Sequence, residues 1–201
     1  MVAATPEITR VATLALGARV RAARALSSAA RDSARELARD DDFARALSDL
    51  DALDRLLASG APPADWRIWV DQVREAERVL HGGTAGVADE TFYGRVRDYV
   101  RRARAPEPVA ASVEFLHGLA AWDFAAASRA GEVLLQSSVR DSVYWLPATF
   151  VRNGLVVSRI KVGDFAGARA AFKAYVKFVD KDAFTARVLA AYLLEMERRA
   201  E

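Results

Sequence analysis

The tripeptide Asp-Phe-Ala stands at Asp123–Ala125 and again at Asp164–Ala166, 41 positions on. Small residues follow each copy at helical spacing: Ala127 and Ala130 after the first, Ala168 and Ala171 after the second. The prolines Pro106 and Pro147 keep the same interval of 41. A repeat of this length holds two helices and a turn, and no shorter element fills it. Each unit reads as proline, helix, tight turn with Asp, helix. Pro106 and Pro147 open the first helix of each unit, where the missing N–H is no loss. Asp123 and Asp164 cap the second. Phe124 and Phe165 fill the gap between the two helices, and Ala127 and Ala168 let the backbones approach. A third Asp-Phe-Ala begins at Asp42, 81 positions before Asp123 and close to two periods.

Hairpins of this kind bury their apolar faces by stacking on their neighbours. The pattern predicts an all-α fold: a right-handed superhelix of tetratricopeptide-like helical hairpins with about eight or nine helices. Composition agrees. Much of the 52% apolar content is alanine, with Leu, Arg and Glu, which favours helix. No Val/Ile/Thr runs bounded by turns suggest strands. A first helix is expected from Pro6 to about residue 39. A second follows from the acidic cluster Asp40-Asp41-Asp42, with the stripe Phe43, Leu47, Leu50, Leu53 and Leu57, and stops at Ser59-Gly60. Pro62-Pro63 opens a third, carrying Trp66, Trp69, Val73, Ala76 and Leu80 to His81-Gly82-Gly83. After a loop to about Val87, a fourth spans about 89–104, with Phe92, Val96, Tyr99 and Ala103 inward. The two hairpins follow at 109–121 with 123–137 and 148–162 with 164–179, then a last helix over 182–199.

Little in the chain points to catalysis. There is no cysteine, which excludes a disulfide framework, Cys zinc sites and a thiol nucleophile. The two histidines, His81 and His117, lack the further ligands a zinc site needs. No phosphate-loop, dinucleotide, nucleophile-elbow or metalloprotease motif occurs. The acidic run at 40–42 lacks the spacing of a calcium loop. Lys+Arg 29 against Asp+Glu 27 leaves a net charge of +2, weak grounds for a nucleic-acid partner. No apolar run approaches the roughly 20 residues of a membrane helix. Catalytic residues, cofactors and metals are therefore expected to be absent. The candidates for partner contact are Arg95, Arg101, Arg102 and Arg104 on the fourth helix, and Tyr144 and Trp145 in the Tyr144-Trp145-Leu146-Pro147 connection. The remaining tryptophans are expected in the core. Ile8–Arg31 is free of acidic residues and holds five Arg with Ser27 and Ser28. Such a segment reads either as a mitochondrial transit peptide or as an ordinary basic helix face.

The stretch PEPVAASVEFLHGLAAWDFAAASRAGEVL resembles the accessory subunit Va of mitochondrial cytochrome c oxidase. That family shows Pro-x-Pro, 14 residues, then Asp with Phe or another apolar residue, followed by Arg and Glu in a helix. Here Pro106-Glu107-Pro108, the 14 residues Val109–Trp122, Asp123-Phe124, Arg129 and Glu132 match in register. Phe92, Val96, Tyr99 and Val100 fall on the family's apolar stripe, and Tyr144 lies near its tyrosine–proline connection. The family usually has Asn where this chain has Trp122. The resemblance covers about residues 62–160. It implies an extended subunit Va-like core at 61–162, preceded by a helical extension at 1–60 and followed by a repeat helix and terminal helix at 163–201.

The function so implied is a non-catalytic accessory subunit. It would sit peripherally on the matrix side of the mitochondrial inner membrane, bound to other subunits of the oxidase and to no nucleic acid. The alternative is a generic tetratricopeptide-like adaptor. A shorter likeness, LLASGAPPADWRIWVDQV, is to subunit d of the mitochondrial ATP synthase stalk and implies another membrane complex.

Overall fold

The structure, a computed structural model, describes residues 51–81, 90–141, 145–179 and 183–200. Every regular element among them is an α-helix. These are α1 (51–59), α2 (Trp66–His81), α3 (Glu90–Arg102), α4 (Glu107–Ala120), α5 (Phe124–Asp141), α6 (Ala148–Lys161), α7 (Phe165–Tyr175) and α8 (Phe184–Ala200). The expected first helix, the residues Phe43, Leu47 and Leu50, and the loop to Val87 lie outside the described residues.

The chain divides between Ala103 and Arg104 into two compact units. This boundary falls inside the segment 61–162 that the sequence reading treats as one core. The helices α6 and α7 pack against each other on either side of 162/163.

In the first unit α1 ends where Gly60 takes φ +69°, a left-handed conformation that costs glycine nothing. The helix α2 starts three residues after Pro63, at Trp66. Asp65 sets that start: its carboxylate accepts from Arg67 N–H at 2.7 Å and its carbonyl from Trp69 N–H at 3.1 Å. The inward faces of α2 and α3 bury Trp69, Val70, Val73, Ala76, Phe92, Tyr93, Val96 and Tyr99, with Leu53 and Leu57 of α1. Trp66, Trp69 and Tyr99 form one aromatic cluster, with ring centroids 5.3–6.0 Å apart.

The second unit shows what the 41-residue repeat encodes. Its backbone hydrogen bonds recur at that interval. Ala110 N–H donates to Pro106 O at 3.3 Å, as Val151 N–H does to Pro147 O at 3.1 Å. Ala127 N–H donates to Asp123 O at 2.9 Å, as Ala168 N–H does to Asp164 O at 2.8 Å. The carboxylate caps match too: Asp123 accepts from Ala126 N–H and Asp164 from Gly167 N–H, both at 2.9 Å. Ala127 and Ala168 are fully buried, and Phe124 and Phe165 are half-buried. Short turns make α4 with α5, and α6 with α7, antiparallel hairpins, and α5 packs on α6. The final helix α8 covers α7 and α6 with Ala186, Leu189 and Leu193.

Glycines set the closest approaches. A Cβ on Gly118 of α4 would stand 2.7 Å from Ala127 N and 2.9 Å from Asp123 O. Gly131 of α5 and Gly154 of α6 leave a slot for the fully buried ring of Phe115. An added Cβ at those glycines would lie 3.0 Å and 2.6 Å from that ring. Gly131, an awkward residue for a helix interior by propensity, is thus explained by packing.

Candidate functional site

The expected arginine face lies on α3, and much of it is engaged within the first unit. Arg95 pairs with Asp54 of α1 at 3.0 Å, and Arg97 lies 3.8 Å from Glu90. Arg101 binds Asp98, one turn back, at 2.6 Å. Arg102 reaches Leu57 O at 2.7 Å. That carbonyl belongs to the last turn of α1, which has no helical partner for it. Tyr99 adds a hydroxyl hydrogen bond to Ala61 O. So Arg95 and Arg102 hold α1 against α3 while leaving part of each guanidinium at the surface. Arg101 stays largely exposed on top of its intrahelical pair. Arg104 is exposed, at φ +51°, and makes no hydrogen bond or ion pair among the described residues.

Both hairpin turns place a left-handed residue just before the Asp cap. In the second, Gly163 takes φ +79°. Its counterpart 41 positions earlier, Trp122, takes φ +60°. The left-handed region costs a residue with a Cβ about 1–2 kcal/mol, and Asn and Asp tolerate it better than most. This corrects the expectation that Trp122 is a core residue: it is 61% exposed, because the turn points its side chain away from both helices. Trp69 is buried as expected, whereas Trp66 and Trp145 are half-buried. The sequence carried the signal for Trp122, since alignment on the repeat sets it opposite a glycine. Tyr144 lies outside the described residues. Two residues on, Leu146 is buried, and Pro147 stands at the N-terminus of α6 with φ −53°.

Of the repeat-packing residues, Asp164 stands beside a second polar feature that sequence reading missed. Arg159 of α6 donates to Glu132 of α5 at 2.5 Å and to Gly167 O of α7 at 2.8 Å, with Asp164 3.8 Å away. One guanidinium therefore ties three helices. Arg169 of α7 pairs with the buried Glu197 of α8 at 2.6 Å. These contacts fix the register of the helices.

Two buried ionisable groups of the first unit titrate away from their usual ranges. Burial raises the Glu77 carboxyl of α2 from 4.5 to about 7. Burial, with Glu77 nearby, pushes the Tyr93 phenol far above its usual range. Among the described residues no group of three or more His, Cys, Asp or Glu is placed to hold a metal ion. Among them, too, no helix is long and apolar enough to cross a membrane. Comparison with protein-family models, with curated proteins and with solved structures finds no match.

Proposed function

We propose that the chain is a non-catalytic, protein-binding subunit of a larger assembly. The assembly is cytochrome c oxidase, with the chain peripheral to the matrix side of the mitochondrial inner membrane. The observation that carries this reading is the Pro106-x-Pro108 to Asp123-Phe124 segment. The residues of the resemblance are the ones that start α4, turn the chain and cap α5. The role is to bind neighbouring subunits and support assembly and stability. Exposed Trp122, the outer parts of Arg101 and Arg104, and the Tyr144-Trp145 connection supply contacts, with the hairpins winding as a right-handed superhelix. Bulky aromatics and arginines carry much of the energy of protein interfaces.

Native gel electrophoresis of gently solubilised mitochondrial membranes tests this reading. The chain is expected to migrate with oxidase activity, and migration only at its own size would refute it.

The 41-residue recurrence itself favours a second reading, a tetratricopeptide-like adaptor that binds a peptide or helix. Under that reading the chain is stable alone and recovers a partner unrelated to the oxidase. The likeness to the ATP synthase stalk subunit, which spans the end of α1 and the first half of α2, adds a third assembly that the same gel distinguishes.

A further inference from the structure

A helix packed on one side ordinarily turns a polar face to the other. In α8 both faces carry apolar residues. Its inner face is spent on α6 and α7, yet its outer face shows Phe184 at 82%, Val188 at 48% and Leu194 at 66% exposure. With Ala191 these residues follow one another at intervals of four, three and three, a continuous stripe on a helix of 3.6 residues per turn. Arg187, Glu195 and Arg198 flank the stripe.

The stripe is self-complementary. In an antiparallel pair of α8 helices centred on Ala191, the residue n places before the centre meets the residue n places after it on the other chain. At three places Val188 meets Leu194. At four, Arg187 meets Glu195. At seven, Phe184 meets Arg198. Apolar thus faces apolar, cation faces carboxylate, and a ring faces a guanidinium. The offsets three, four and seven are those that keep residues on one face of a helix. The residue at the crossing is alanine, small enough for the close helix approach that a two-fold axis requires.

Arg187 has no side-chain hydrogen bond or ion pair among the described residues. Glu195 already binds Arg198 and Arg199 of its own helix at 2.7–3.1 Å, and its carboxylate remains partly exposed to take a further cation.

We propose that the outer face of α8 is a homodimerisation surface, occupied by α8 of a second copy in antiparallel, two-fold register about Ala191. This goes beyond the assembly named above and does not depend on it. A single helix pair lies at the small end of stable interfaces, so the expected dissociation constant is roughly 1–100 µM.

The absence of cysteine allows a clean test on the full chain. Sedimentation equilibrium across this concentration range is expected to show monomer and dimer. L194E should abolish the dimer while helical circular dichroism is retained. R187E should weaken association at least tenfold, and R187E combined with E195R should restore it. Under mild oxidation A191C should cross-link to itself. R187C should cross-link to E195C only when the two variants are mixed. A chain that stays monomeric up to ~100 µM overturns the proposal and leaves the stripe to a different protein. A dimer indifferent to L194E places the contact elsewhere. A dimer in which A191C fails to cross-link refutes the register.

Discussion

Trp122 shows how one residue can oppose its local geometry. The turn between α4 and α5 needs a left-handed residue, and the equivalent turn uses Gly163. Replacing Trp122 by Asn should relieve backbone strain and stabilise the free chain by about 1 kcal/mol, read as a rise in thermal midpoint. An unchanged or lower midpoint would show that the indole contributes more than the backbone loses. Gly118 presents the reverse case. Its missing Cβ makes room for backbone atoms of the α4–α5 turn, and backbone yields less readily than a side-chain tip. Gly118→Ala should therefore destabilise by about 2–3 kcal/mol, despite alanine's better helix propensity, and chemical unfolding measures it.

At the scale of elements, the equivalence of the two hairpins is a quantitative claim. Asp123→Ala and Asp164→Ala each remove one carboxylate cap and should each cost about 1 kcal/mol. The two cap bonds share no atoms, so the double variant should lose the sum to within about 0.5 kcal/mol. The Asp164 variant should lose slightly more, since Arg159 stands beside that carboxylate. Hairpin positions were legible in the sequence because proline, Asp cap and small residues each leave a local mark. The ends of α4 and α6 accordingly fall within two residues of expectation. Less legible were features set by distant partners. Nothing local to Arg102 says that it will cap α1, or to Arg159 that it will join three helices. Half of the anticipated arginine contact surface proved to be engaged in this way. The α8 stripe was readable as a pattern, but only the packing of its opposite face shows that it is left outward.

At the scale of the molecule, the two units should respond differently to pH. Folding raises the Glu77 carboxyl to about 7 from 4.5, so the folded first unit holds a proton more tightly than the unfolded chain. Its stabilising contribution is complete below about 4.5 and is lost as pH climbs to about 7. After allowance for residual solvent contact, about 1–2 kcal/mol should disappear across that interval. Urea unfolding at pH 5 and pH 8 measures the loss, and Glu77→Gln should flatten it. An equal pH dependence in that variant would assign the effect to other groups.

The reading of the whole chain as an oxidase subunit meets its most direct test in a tagged pull-down from mildly solubilised mitochondrial membranes, with the eluate's visible spectrum recorded and its proteins identified by mass spectrometry. The account predicts a haem a spectrum together with the core oxidase subunits. A colourless eluate without those subunits would contradict it.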